Sequence, residues 1–385
     1  MNRFSMFLPT KVRIGIGVHK ELPTYIKGEA KALIVTDKGL VETGVAAIVE
    51  KILREAGHQV DMFDRVTPNP DEDLVKETTA FIKEKGSTHI IGLGGGSAID
   101  TAKVGACMAA NEGPLEDYQW NGRSFEKAPL PLFAVPTTAG TGSEVTGVAV
   151  ITSRNTKKGV ADRYIFPEVA LVDPELMRSL PPYVTAITGM DALTHAIEAY
   201  IGLGANEITD SLSERAIELI GTYLPKAYAN GNDMEARYYM AVASTMAGIA
   251  MDQAGLGIVH AMASPVCAYL HYSHGFANAF LLPYGMEFNV IARKDKLACV
   301  SKLLGESTEF MTVDKAAWSS IERVRLLLDE LDLSDKISAE ISTSSDVDVD
   351  IFAKATANMF LARNNPRIVT VDQCKKIFEE IFFGD

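Results

Sequence analysis

The alternation of short β-rich runs with helical patterns in the first part of the chain constrains its fold more than any other feature. ALIVTD (residues 32–37), QVDMFD (59–64), HIIGL (89–93) and LFAVP (132–136) read as strands. VAAIVEKILREAG (45–57) and DLVKETTAFIKEKG (73–86) read as amphipathic helices between them. Strands separated by helices imply parallel crossovers and hence an α/β sheet. From about Pro181 the alternation stops. ITGMDALTHAIEAYI, SLSERAIELIGTYLPKAYA, ARYYMAVASTMAGIAMDQAG and KAAWSSIERVRLLLDELD space their apolar residues by three and four, with few β-rich runs between them. A chain of 385 residues also exceeds what one hydrophobic core usually serves. We therefore expect an α/β domain over 1–180 and a helical domain over 181–385, joined near SLPPYV (179–184), where two prolines favour a linker or a helix start.

Charge and cysteine usage narrow the function. A net charge of −13 argues against nucleic acid or an anionic membrane surface as a partner, because both need clustered cations. Cys107, Cys267, Cys299 and Cys374 form no CxxC pair, which fits reduced thiols rather than a disulfide framework or a zinc finger. No apolar run reaches the length of a membrane helix, and MNRFSMFLPTKVRIGIG lacks the uninterrupted apolar segment of a signal peptide. The expected location is the cytoplasm.

Two loops invite a phosphate. HIIGLGGGSAIDTAK (89–103) is a strand, a glycine run and a helix whose first turn holds Ser97 and Asp100. Glycines let backbone approach a phosphate closely, and the helix N-terminus aims amide donors and a positive dipole end at it. The run is not GxGxxG, and a glycine-rich strand-to-helix turn is often only a tight turn. A second loop, PTTAGTGSEVT (136–146), leaves another strand. Two such loops at strand ends of one sheet point to a ligand crevice. Asp37 ends the strand ALIVTD, where a carboxylate accepts from a ribose diol and repels a 2′-phosphate, favouring NAD over NADP; an ordinary turn aspartate is the competing reading.

Metal candidates gather in the second half. In GMDALTHAIEAY, Asp191 and His195 lie four apart on one helical face, a spacing that can hold a divalent ion and also arises by chance. Glu198, one turn on, reads as a solvated group or as a support for the ligands. HAMASPVCAYLHYSHG (260–275) holds three of the seven histidines. His260 sits on a helix of small and apolar residues, where an unpaired imidazole is costly to bury. His274 opens another apolar helix, and His271 has no evident role. One carboxylate and three imidazoles suit Fe²⁺ or Zn²⁺ with positions left for a substrate oxygen.

In order, GLGGGSAIDTAK, PTTAGTGSEVT, VALVDPEL, GMDALTHAIEAY, GLGIVHAMASP, HGFANAFLLPYGMEFN and NNPR make the chain resemble the iron-containing, or group III, alcohol dehydrogenases over nearly its whole length. The resemblance implies a Rossmann-like parallel sheet in an N-terminal nucleotide-binding domain and an all-α metal-binding domain, a fold shared with the dehydroquinate synthase branch, whose metal-ligand pattern differs. It implies NAD(P) in a cleft with a metal beside the nicotinamide, and a homodimer or larger homo-oligomer. Carried over by position, Asp191, His195, His260 and His274 are the metal ligands. Asp37 lies at the adenosine ribose, Gly95, Gly96 and Ser97 at the pyrophosphate, Thr137 and Thr141 in the second loop, and Asn69 of TPNP near the nicotinamide.

The departures from the family pattern fall elsewhere. Ser264 replaces a second histidine often credited with proton relay, Cys267 replaces a glycine, and His271 stands where Asn or Asp is frequent. MFLARNNPR puts Leu361 where a cysteine is common and Arg363 where an apolar residue is common, and Met251 falls where relatives carry phenylalanine. We therefore expect a substrate pocket remade around Met251, Ser264, His271, Leu361 and Arg363. The expected reaction is hydride transfer between NAD(H) and a short aldehyde or its primary alcohol. A guanidinium matches sulfonate or carboxylate oxygens, which favours an anionic aldehyde such as sulfoacetaldehyde or a semialdehyde. The alternatives are a neutral aldehyde or diol (lactaldehyde, glycolaldehyde, 1,3-propanediol) and, from another class, a protein that binds NAD and metal without catalysis.

Overall fold

A computed structural model of the chain describes residues 3–154, 156–344 and 347–384. Its strands in chain order are β1 (Lys11–Ile14), β2 (Lys31–Val35), β3 (Gln59–Phe63), β4 (His89–Gly94), β5 (Leu132–Pro136), β6 (Val148–Ser153), β7 (Thr156–Ala161) and β8 (Val169–Val172). The helices among them are α1 (Leu22–Tyr25), α2 (Lys38–Glu42), α3 (Val45–Glu55), α4 (Glu72–Lys85), α5 (Gly96–Ala110) and α6 (Leu115–Gln119). After them come α7 (Pro182–Ile201), α8 (Glu207–Ala229), α9 (Met234–Ala254), α10 (Ile258–Tyr269), α11 (His274–Leu303), α12 (Val313–Glu330), α13 (Ser334–Thr343), α14 (Val349–Asn358) and α15 (Val371–Phe383). The chain divides into two compact units, Phe7–Leu180 and the chain from Pro181 onward, with the described residues before Phe7 grouped with the second.

In the first unit six strands form one sheet in the order β1-β8-β5-β4-β2-β3. Every pairing in it is parallel. The period of two explains why ALIV is apolar throughout. Ala32 and Ile34 pack with Val45, Val49 and Leu53 of α3 on one face. Leu33 and Val35 pack with Leu74 and Ile82 of α4 and with Ala98 and Ala102 of α5 on the other. Gly92 of β4 allows α5 to lie close, since a Cβ there would stand 3.2 Å from the Ile99 Cα. The antiparallel hairpin of β6 and β7 lies outside this sheet and was not expected from the sequence.

The second unit is helical, as its periodicity predicts. Its first helix, α7, is buried along nearly its whole length. Glycines set the spacing of its neighbours. A Cβ at Gly189 would come within 2.3 Å of Leu224 in α8, one at Gly275 within 2.5 Å of the Ile187 carbonyl oxygen, and one at Gly285 within 2.3 Å of Val259. The N-terminus of α11 thus rests against α7 one turn before Asp191. At the other end of α7, Arg293 and Lys296 of α11 donate to the carbonyls of Ile201 (2.9 Å) and Tyr200 (2.7 Å). Cations suit a helix C-terminus, where carbonyls lack partners. Arg293 itself leaves helical geometry at φ −142° and ψ 40°, which kinks α11 there. No single helix among the described residues is long and apolar enough to cross a membrane.

Candidate functional site

Three helices of the second unit bring together the residues picked out by spacing. Asp191 and His195 project from one face of α7, His260 stands in the first turn of α10, and His274 is the first residue of α11. Each offers one donor atom, and the four atoms all lie within 4.8 Å of one another. The His195 Nε2 is 3.8 Å and the His274 Nε2 3.9 Å from the Asp191 Oδ1. The His195 and His260 rings stack with centroids 4.8 Å apart. Asp191, His195 and His260 are buried and His274 half-buried. Burial acts to raise the Asp191 pKa, but His195, then His274 and His260, and finally the Asn278 amide outweigh it and hold the carboxyl below its ordinary value of 3.8.

Glu198 continues the same face of α7 and is itself buried. Its Oε1 accepts the Val259 backbone N–H at 2.7 Å, meeting one of the four amides that open α10 without an intrahelical partner. Its Oε2 lies 2.6 Å from the His260 Nδ1. A carboxylate there accepts from Nδ1–H, and in a neutral imidazole the lone pair then lies on Nε2, the nitrogen that faces the cluster. Gly257 makes room for this contact, because a Cβ would sit 3.0 Å from Glu198 Oε1. The NNPR motif supports the same backbone. Asn364 donates to the carbonyls of Ala254 and Leu256, each at 3.0 Å, and accepts from Gly204 N–H at 3.0 Å. Asn365 exchanges amide bonds with Asn289 at 2.8 and 2.9 Å and accepts from Ile258 N–H.

The two glycine loops meet in the first unit. β4 ends at Gly94, whose φ of 149° and 2.7 Å approach of a hypothetical Cβ to Ala98 demand glycine. The Gly94 carbonyl accepts from Thr137 N–H at 3.0 Å. Gly95 precedes α5, Gly96 and Ser97 begin it, and a Cβ on Gly96 would stand 2.8 Å from the Thr141 methyl. Thr137 is buried and Thr141 half-buried. Asp100 turns away from the helix N-terminus to hold the second loop. It accepts from the Ser143 hydroxyl at 2.5 Å and the Val150 N–H at 2.8 Å. Burial raises the Asp100 pKa, opposed by Lys103, Ser143 and Val150. Lys103, with no exposed surface, donates to the Thr146 carbonyl (2.9 Å), the Thr146 hydroxyl (3.1 Å) and the Val148 carbonyl (3.0 Å). Sequence reading placed neither residue in this clamp.

Asp37 caps α2, its Oδ1 accepting from Leu40 N–H at 3.1 Å, while Oδ2 faces Gly94. Asn69 occupies left-handed backbone at φ 57°, and the next residue, Pro70, accepts from Thr152 of β6 at 2.8 Å. Among the pocket candidates, Ser264 is half-buried one turn after His260, and Met251 packs against Ala199, Ala250 and Ala254. Leu361 and Arg363 lie on the 3₁₀ turn Phe360–Asn364, which packs on α10. Arg363 is exposed and joins no ion pair among the described residues. His271 is exposed, at φ 57°, between α10 and α11. A second acidic and imidazole group, His19 with Asp173 and Glu175, joins the segment after β1 to the end of β8, with Asp173 also accepting from Glu175 N–H at 2.9 Å.

A parallel nucleotide-type sheet, a helical unit and a largely buried set of three imidazoles and a carboxylate define a metal-dependent oxidoreductase. The family models agree. Residues 9–174 match the iron-containing alcohol dehydrogenase family, and 185–382 match the C-terminal model of the Fe-containing alcohol dehydrogenase family. The chain is 41% identical over 382 residues to the NAD-dependent methanol dehydrogenase of Bacillus methanolicus, covering 97% of this chain and 99% of that one. It is 35% identical over 385 residues to the sulfoacetaldehyde reductase of Bilophila wadsworthia, covering 98% and 99%. The crystal structure of a 1,3-propanediol oxidoreductase superposes with a TM-score of 0.94 at 35% identity, covering 99% of this chain and all 100% of that one. The chain belongs to the iron-containing alcohol dehydrogenases. It is an NAD(H)-linked oxidoreductase acting on the CH–OH group of a small alcohol, or on the matching aldehyde.

Proposed function

We propose that this protein interconverts a short anionic aldehyde and its primary alcohol, using Fe²⁺ or Zn²⁺ on Asp191, His195, His260 and His274 and NAD(H) on the two glycine loops. The cluster of four donors carries the reading. An ionised Asp191, and a His260 whose Nε2 lone pair is freed by Glu198, are what a divalent cation needs, and imidazole with carboxylate suits iron and zinc alike. When bound, such an ion supplies Lewis-acid polarisation of a carbonyl oxygen, and the nicotinamide supplies the hydride. In the first unit, Gly95, Gly96 and Ser97 present the opening backbone of α5 to a pyrophosphate, with Thr137 and Thr141 beside it. Asp37 keeps Oδ2 for a ribose diol and repels a 2′-phosphate, which supports NAD over NADP. Asn69, on left-handed backbone, is assigned to the nicotinamide side. Ser264 does not titrate near neutral pH, so the product oxygen takes its proton through water and the cofactor ribose, with help from the exposed His271. The free cysteines support a reducing, cytoplasmic setting.

Arg363 favours an anionic substrate, because it is exposed, unpaired among the described residues and carried by a turn packed on the His260 helix. A sulfonate or carboxylate offers the oxygens a guanidinium fork matches. The relative named sulfoacetaldehyde reductase aligns over nearly the whole chain and supports this choice. The neutral-aldehyde reading draws on the higher identity to a methanol dehydrogenase. Rates of NADH oxidation by metal-loaded protein with glycolaldehyde and sulfoacetaldehyde decide between them. We expect a preference for the sulfonate that Arg363→Ala abolishes. A preference for glycolaldehyde, unchanged in that variant, returns the protein to the neutral branch.

A further inference from the structure

The short loop between α10 and α11 carries His271 and leads into His274. His271 holds left-handed backbone at φ 57°, a region unfavourable for a residue with a Cβ, which keeps it only where the surroundings impose it. Its own side chain is exposed, so the hold comes from its neighbours. The Tyr272 ring packs on the edges of Phe276 and Phe280, with centroids 5.3 and 6.2 Å away. Its hydroxyl reaches out of the loop, donating to the Glu340 carbonyl at 2.9 Å and lying 2.7 Å from the Ser344 Oγ. Ser273 hydrogen-bonds the hydroxyl of Tyr183, in the first turn of α7. Over the Tyr183 ring, 4.2 Å from its centroid, stands the Lys336 ammonium.

Lys336 and Glu340 both belong to α13, one turn apart. That helix therefore meets the loop at two points, directly through Tyr272 and by way of Tyr183 through Ser273. None of its residues is buried, so little apolar burial fixes it in place. The Glu340 carbonyl is one of the last four of α13, which have no amide partner within the helix. Thr343 and Ser344 turn their own hydroxyls to it at 3.0 and 2.9 Å, and Tyr272 is the donor that comes from another element.

We propose that α13 is a clasp on the loop that enters α11, with Tyr272 and Tyr183 the positioning residues through which it acts. Docked, it holds His271 in left-handed backbone and fixes the first turn of α11; released, it lets the loop relax. Among the four candidate donors His274 is the one this loop delivers, and it is half-buried where the others are buried. The clasp thus governs how readily that donor lets go. The clasp stands on contacts among α7, α11 and α13, while its effect on an ion rests on the four-ligand reading given above.

Amide hydrogen exchange of the full chain, read by mass spectrometry, tests this. Tyr272→Phe keeps the ring and removes one hydrogen bond, so exchange should rise about fivefold in α13 and in the first turn of α11 together. In that turn the Ala277 N–H bonds the Ser273 carbonyl at 3.0 Å. Lys336→Met changes α13 alone and should raise exchange at both places about twofold; it decides by itself if Tyr272→Phe does not fold. An α11 turn that keeps the parent rate in Tyr272→Phe overturns the clasp, whatever α13 does. A rise there in Tyr272→Phe that Lys336→Met does not reproduce overturns the part given to α13. From the Zn²⁺-loaded protein a chelator should strip the ion about fivefold faster in Tyr272→Phe. Equal stripping alongside faster exchange overturns the hold on His274, and a parent that takes up neither Zn²⁺ nor Fe²⁺ overturns the four-ligand reading while the exchange rates still decide the clasp.

Discussion

The two candidate binding regions are built from opposite materials. In the unit after Pro181 the donors are side chains, and two of them are aimed by another: Glu198 sets His260, and Asn278 holds Asp191. In Phe7–Leu180 the binding surface is backbone, shaped by Gly94, Gly95 and Gly96 and held from behind by Asp100 and Lys103. A side-chain site depends on chemistry at single atoms. A backbone site depends on space and on the clamp beneath it. The first should therefore fail through lost donors and the second through added bulk or lost support.

The largest expected effect is at a donor. His260→Ala removes a candidate ligand, and metal polarisation is worth several kcal/mol, so kcat/KM should fall about a thousandfold at roughly 1.36 kcal/mol per decade. Metal content by atomic emission should fall with it. Activity that persists at full metal occupancy would remove His260 from the site. Next comes the clamp, where Lys103→Met leaves two carbonyls and a hydroxyl without their charged donor and should cost about 3 kcal/mol in urea unfolding. Metal affinity should stay constant if the regions are as separate in construction as they look. Glu198→Ala should weaken metal binding by about 10 to 100-fold, measured by chelator competition, as loss of a carboxylate behind a ligating histidine does. An equal effect from Glu198→Gln would show that charge rather than acceptor geometry matters. The smallest effect is expected at Gly96→Ala. The added methyl meets Thr141 at 2.8 Å, and overpacking of this kind costs about 1–3 kcal/mol. The NADH dissociation constant should rise roughly tenfold with kcat little changed, and Thr141→Ser should recover part of the loss by vacating that space.

Much of this was legible in the sequence where the period of the side chains matches the structure. ALIV, HIIGL and LFAVP are buried on both faces and announce themselves as strands, and the spacing of Asp191 from His195 places both on one face of α7. The hairpin was hidden because TKKGVA has no apolar run and becomes a strand only by pairing with β6. Lys103 was hidden because a lysine on a helix ordinarily faces water; its burial depends on loop carbonyls some 43 residues away. Asn278 gave no signal, being neutral within an apolar helix, and Glu198 gave an ambiguous one, because its partner is 62 residues distant. Long-range polar contacts of this sort leave no periodic trace.

Glu198 couples two events that are usually separate. The same carboxylate that sets the His260 tautomer also caps the first turn of α10 through Val259 N–H. Fraying of that turn and loss of imidazole orientation are then one cooperative opening, with one free energy. Amide hydrogen exchange at Val259 becomes a clock for the metal centre, slowing when the ion is present by the factor with which the ion binds the closed form more tightly than the open one.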